Sequence, residues 1–370
     1  MSTAFRLLHV ALILCCTLVS TWAADALPSW KEGPTKQAIL AFVAKVTTPG
    51  TADFVPAAAR IATFDNDGTL WCEQPMYVQF AFMLDQMKAA APQHPEWQEN
   101  AAFKALATHD RKALAKMGEK PVLERLFLAN SGMTAEAYDH AIREWLKTAR
   151  HPTLKRPYTE LVYQPMLELL AFMRANGFKT FIVSGGSIEF MRPWSEAVYG
   201  IPPDQVIGSV SAVQFTLDAT GSQLLREPKI EFIDDGPGKP VGIYRNIGQR
   251  PIAAFGNSDG DLQMLQFATT GSGARLALLV HHTDAEREFA YDRTSQVGKL
   301  DKALDEAAVK GWTVVDMKND WLTVFPAPRL SLSLAPASCP TCEAPAKSRF
   351  ALIKAAAQPG VVAETPPTGK

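Results

Sequence analysis

The residues best equipped for chemistry are Asp65 and Asp67, two positions apart in Asp65-Asn66-Asp67-Gly68-Thr69, just after the apolar run 61–64. Carboxylates at this spacing can divide a reaction, the first attacking as nucleophile and the second serving as general acid and base. A phosphoryl group arriving at Asp65 would bring negative charge to a carboxylate, so this chemistry asks for a cation beside it. Magnesium suits that role, because it takes oxygen ligands from one or two carboxylates and keeps several waters.

Three later groups supply complementary parts. Ser184-Gly185-Gly186-Ser187 offers a hydroxyl and two backbone N–H groups at an expected helix start, where anionic oxygens bind. Lys239 follows the turn Asp234-Asp235-Gly236-Pro237-Gly238 and adds a compact positive charge at a second helix start. Gly256-Asn257-Ser258-Asp259-Gly260-Asp261 carries oxygen donors for a metal shell, through Asn257 and Asp261 or through Asp259 instead. Alone, an Asp-x-Asp-Gly sequence is a common turn. The four groups in this order make a specific constellation.

The elements that must position them follow one grammar. The apolar runs 61–64, 179–183 and 251–255 each end in small polar residues and lead into a helical pattern, which predicts buried parallel strands. Ligands of open parallel sheets bind outside the carboxyl ends of the strands, so the three polar termini should converge on one pocket. A fourth run, 275–280, leads into His281 and His282, whose side chains leave a strand on opposite faces, so at most one can aim at that pocket. Between the first two strands the pattern is helical at 77–87, 97–107, 121–130 and 134–148. A crossover needs far less chain, so an inserted helical module is expected near the pocket mouth. Segments 206–215 and 222–226 flank a turn and predict a hairpin.

These motifs resemble the ordered motifs of the haloacid dehalogenase (HAD) superfamily over about residues 60–280, and the stretch from Phe181 through Pro193 to Ser209 is similar to its phosphoserine-phosphatase-like members. The resemblance implies an α/β fold, a Rossmann-like parallel-sheet core at 29–70 and 164–325, with a helical cap inserted at 71–163. It implies Asp65 as nucleophile forming an aspartyl phosphate, Asp67 as acid and base, and Ser184, Gly185, Gly186 and Lys239 as phosphate ligands. Magnesium would be held by Asp65, Asp67, Asn257 and Asp261, with Asp259 as the alternative. Dehalogenases of the family lack the second aspartate, so Asp67 favours hydrolysis of a small phosphomonoester. Asn257 stands where many relatives carry an aspartate, which invites the reading of a non-catalytic binding protein; a phosphotransferase passing the group to an alcohol is a third reading.

The remaining chain sets the context. Arg6 precedes an apolar run from Leu7 to about Trp22 that ends in small residues, which predicts a signal peptide over 1–24 and a periplasmic or secreted protein with no stable membrane insertion once the leader is cleaved. Without the leader the cysteines are Cys72, Cys339 and Cys342, too few for disulfides to be the main support of the fold. Cys339 and Cys342 read as a local disulfide, and Cys72 as packing. Residues 326–370 are rich in Pro and Ala and predict a disordered tail. A net charge of -1 leaves no basic excess for a polyanion, so nucleic acid is not an expected partner.

Overall fold

The computed structural model describes residues 25–108, 110–117, 130–219 and 221–328. The leader, the expected helix at 121–130 apart from its last residue, the Cys339–Cys342 pair and the tail from 329 onward lie outside the described residues.

Eight strands build the sheet: β1 (Ile61–Phe64), β2 (Lys179–Ser187), β3 (Val206–Asp218), β4 (Gly221–Phe232), β5 (Ala253–Gly256), β6 (Leu276–Thr283), β7 (Ala290–Tyr291) and β8 (Thr313–Asp316). Their order is β4-β3-β2-β1-β5-β6-β7, with β8 also paired to β6. The pairs from β3 through β2, β1 and β5 to β6, and the β6–β8 pair, are parallel, while β3–β4 and β6–β7 are antiparallel. This is an α/β fold with a Rossmann-like, parallel-dominated central sheet.

Burial on both faces explains why the central strands read as unbroken apolar runs. All four residues of β1 and all four of β5 are buried. Ala62 and Phe64 face one core with Ile182, Phe255 and Leu278; Ile61 faces the other with Phe181, Val183, Ala254 and Leu279. Phe64 and Phe255 stack with ring centroids 4.3 Å apart, directly beneath the first and last motifs. Burying each ring contributes roughly 2 kcal/mol. Removing either would loosen the strand ends that carry the site.

Helices close both faces. On the first lie α1 (Pro34–Thr47), α6 (Gln164–Ala175) and α7 (Ile188–Tyr199), on the second α8 (Gly238–Ile247), α9 (Leu262–Thr269) and α10 (Lys302–Lys310). Between β1 and β2 the described residues hold α2 (Val78–Ala90), α3 (Ala101–Thr108), α4 (Arg111–Met117) and α5 (Ala135–Thr148). Thr134 caps α5 by accepting from the Ala137 N–H, which fits the strand-like backbone of a cap residue.

The hairpin is longer than its apolar pattern suggested, and its far half leaves the core sheet to pack on α5. Arg226 of β4 lies 3.5 Å over the Tyr138 ring, and its backbone N–H donates to Met133. The inserted helices and this hairpin therefore share a face, and a boundary at residue 163 divides the sequence more cleanly than it divides the packing.

Candidate active site

Asp65 leaves the end of β1 with its backbone N–H donating to the Phe255 carbonyl of β5, so the neighbouring strand sets its position. Its side chain is buried. Lys239, in the first turn of α8, donates to Asp65 Oδ1 at 2.6 Å, to Asp261 Oδ1 at 2.5 Å and to the Val183 carbonyl at 3.0 Å. An ammonium has three donors, and all three are engaged. Burial opposes the charge on Lys239, yet the carboxylates of Asp261 and Asp65 outweigh it and hold the ammonium above its usual range. Burial, reinforced by the charge of Asp261, pushes Asp65 well above the usual carboxylate range against the pull of Lys239. Two carboxylates compete for one ammonium.

Asp67 lies at the pocket, its Oδ1 accepting from the Trp71 indole N–H at 2.9 Å. Burial pushes its carboxyl up as well, with that indole bond pulling the other way. Trp71 is itself held in the core by stacking on Trp194, centroids 4.3 Å apart. Gly68 carries the chain between them with φ +73°, and a Cβ there would strike the amide of Asn257 and the carboxylate of Glu73. Only glycine fits.

The second motif differs in detail from its expected place. Strand β2 continues through Ser187, and α7 begins at Ile188, so Gly185 and Gly186 occupy a bulged strand end instead of the first helical turn. The Gly186 N–H donates to Ser184 Oγ at 3.1 Å, while Ser187 caps α7 by accepting from Phe190. Gln79 of α2 locks the segment in place, donating to Ser187 Oγ at 3.1 Å and accepting from the Ser187 N–H at 2.8 Å. One cavity of about 230 Å³ is lined by Asp65, Asp67, Ser184, Gly185, Gly186 and Lys239 together.

The profile of the haloacid dehalogenase-like hydrolase family matches residues 62–266. The chain belongs to this family. Solved structures similar to this hydrolase include a protein of unknown function from Bordetella pertussis Tohama I, 14% identical over 70% of this chain and 98% of that one, with a TM-score of 0.45. A functionally unknown protein from Anaerococcus prevotii DSM 20548 is 17% identical over 75% and 90%, TM-score 0.47. A phosphoserine phosphohydrolase-like protein from Francisella tularensis subsp. tularensis SCHU S4 is 16% identical over 60% and 87%, TM-score 0.31. No curated protein matches the chain.

Within this haloacid dehalogenase-like hydrolase, the last motif is held by hydrogen bonds from several elements. Asp259 is turned away from the pocket and caps α10, accepting from the N–H groups of Asp301 and Ala303 at 2.9 Å each. An unfilled helix N-terminus is a strong claimant for a nearby carboxylate. Asp261 spends Oδ1 on Lys239 and Oδ2 on the N–H groups of Asn257 and Ser258, so it organises the loop and the lysine. Asn257 accepts from Thr69 Oγ1 at 3.1 Å and donates to Glu73 Oε1 at 2.7 Å. All three donors of Lys239 are likewise committed within the protein.

Several participants escaped the sequence. Glu73 is buried in the pocket wall, where burial pushes its carboxyl well up despite hydrogen bonds from Tyr291 and Asn257. Nothing in its local sequence marks it. His282 donates to or accepts from Glu288 at 3.1 Å and holds the Gly68 carbonyl at 2.8 Å, while His281 faces Asp292, so neither lines the pocket. Cys72 is a free, buried thiol.

Proposed function

We propose that the chain hydrolyses a small phosphomonoester through an aspartyl phosphate on Asp65, assisted by Mg²⁺. The observation that carries this reading is the placement of Asp65, paired with Lys239 at 2.6 Å, in one cavity with Asp67 and the Ser184–Gly186 segment. Asp65 Oδ would attack phosphorus in line as the P–O bond to the alcohol breaks. Asp67, its carboxyl raised toward the protonated form by burial, gives its proton to the departing oxygen. Water then attacks the acyl phosphate as Asp67 takes a proton back, releasing orthophosphate.

The donor set fits a hard divalent cation. Asp65, Asp67 and Glu73 line the cavity with Asp261 held behind them on Lys239, so oxygen donors outnumber the one ammonium among the described lining residues. Among the described residues no three His, Cys, Asp or Glu side chains stand close enough to hold a metal by themselves. Magnesium is bound through one or two carboxylates plus waters and substrate oxygens. Asp65 and Asp67 would hold it, with the Asn257 amide oxygen contributing its second lone pair. The ion supplies charge neutralisation for the attacking and transferring oxygens.

Orthophosphate release from an aryl phosphate, combined with protection of the protein by beryllium fluoride in the presence of Mg²⁺, tests the reading. Release no faster than a blank, with no fluoride-dependent stabilisation, would refute it.

A further inference from the structure

We propose that the alcohol this site releases is apolar and carries no negative charge, a specificity that rests on the phosphomonoesterase reading above. The cavity divides chemically into an inner end, where phosphate groups would sit against Ser184 and the glycines, and an outer wall that would face the leaving group. Among the described residues lining it, Lys239 is the one cation, and its three donors are spent on Asp65, Asp261 and Val183. A carboxylate or second phosphate on the leaving group would therefore find no positive partner.

The lining carries a group of large apolar side chains. Tyr77 and Phe80 meet edge to face with centroids 5.6 Å apart, and Ile230 and Ile233 reach the cavity from the end of β4. Ile233 is 60% exposed, an apolar side chain left at the rim where a hydrocarbon or ring could cover it. The polar lining combines neutral groups, among them Gln79, Ser209 and Ser258, with carboxyl groups. Both hydrogen bonds to Glu73, from Tyr291 Oη at 2.8 Å and Asn257 Nδ2 at 2.7 Å, land on Oε1. Its Oε2 has no hydrogen-bond partner among the described residues, although the side chain is buried and lines the cavity. Asp235, an exposed residue, adds a second acidic group to the lining. Carboxyl oxygens in a partly desolvated wall that holds no uncommitted cation give an anionic leaving group no favourable partner and leave a neutral one untouched.

The experiment is a matched pair, phenyl phosphate against 4-carboxyphenyl phosphate, assayed as kcat/KM on the full chain with Mg²⁺. The carboxylated phenol is the better leaving group, so intrinsic reactivity favours it, and any deficit comes from the pocket. We expect kcat/KM for the carboxylated ester to be at least tenfold lower, with the gap narrowing in Asp235→Asn. Phe80→Ala should raise KM for phenyl phosphate several-fold while inhibition by orthophosphate stays as in the parent. Equal or faster turnover of the carboxylated ester, or an unchanged KM in Phe80→Ala, would overturn the specificity and leave the phosphatase reading standing. Inertness toward both esters and toward uncharged alkyl phosphates would remove the phosphatase reading itself.

Discussion

The ammonium of Lys239 lies 2.6 Å from Asp65 Oδ1, so the only cation lining the cavity among the described residues sits against the carboxylate assigned to attack. The same nitrogen holds Asp261, which makes the lysine the neutral point of a buried three-group cluster. Lys239→Met keeps the length of the side chain and removes the charge, leaving two buried carboxylates without a counter-ion. Breaking such a cluster should cost about 3 kcal/mol or more of stability. Thermal melts should show a large fall in Tm together with lost turnover; a variant as stable as the parent would mean that the pairing is not made in solution.

Asp65→Asn tests the nucleophile with the smallest change of shape. The amide keeps an oxygen toward Lys239, so folding should persist, while an amide cannot form the acyl phosphate. Turnover of phenyl phosphate should fall by roughly a thousandfold or more, as when an essential nucleophile is removed elsewhere. Circular dichroism should be unchanged. Turnover within a few-fold of the parent would move the attack to another residue.

Chelation separates the metal from the protein groups. Excess EDTA should silence the enzyme and added Mg²⁺ should restore it, because a carboxylate attacking an anionic ester needs a cation to neutralise the charge the two bring together. Titration of the chelated protein with Mg²⁺ should raise Tm through preferential binding to the folded state. Undiminished rates in EDTA would exclude the ion from the reaction.

The parallel core was legible because β1 and β5 are buried on both faces, so their apolar runs stand out and each ends on a polar motif. Asp65, Asp67, Ser184, Gly185, Gly186 and Lys239 meet in one cavity because they lie at strand ends or helix starts whose placement the parallel topology dictates. Orientation was less legible. Asp259 and Asp261 sit two residues apart in one loop, yet one caps α10 and the other grips Lys239, a division set by partners 42 and 22 residues away. Glu73 and Gln79 were invisible for the same reason, since their partners Tyr291 and Ser187 come together only when the chain is folded. The hairpin's reach to Tyr138 depends on Arg226, whose neighbours in sequence say nothing of an aromatic ring.

Trp71 should tune Asp67 without touching the substrate. Its indole N–H donates to Asp67 Oδ1 at 2.9 Å and favours the ionised form, against the burial that raises the carboxyl. Trp71→Phe keeps an aromatic ring against Trp194 and deletes the donor. The pKa governing the proton-donating limb should move upward, and kcat should fall about tenfold as the carboxyl loses its orientation. A pH profile of kcat/KM superimposable on the parent's would show that the bond is structural only.

Asp234 predicts how stability depends on pH. The side chain is fully buried, neither of its oxygens has a hydrogen-bond partner among the described residues, and burial pushes its carboxyl up to about 7 from the usual 3.8. The folded state therefore binds a proton that the unfolded chain releases near 3.8, so this residue's contribution to stability is complete below that value and is lost as pH rises toward about 7. Each unit of displacement is worth about 1.4 kcal/mol, which makes 4 kcal/mol a rough upper bound at neutral pH. Asp234→Asn removes the titration while keeping the shape, so its stability relative to the parent should climb between pH 4 and 7 and level off above. Parallel melting curves for the two proteins across that interval would show that the Asp234 carboxyl titrates as it does in the unfolded chain.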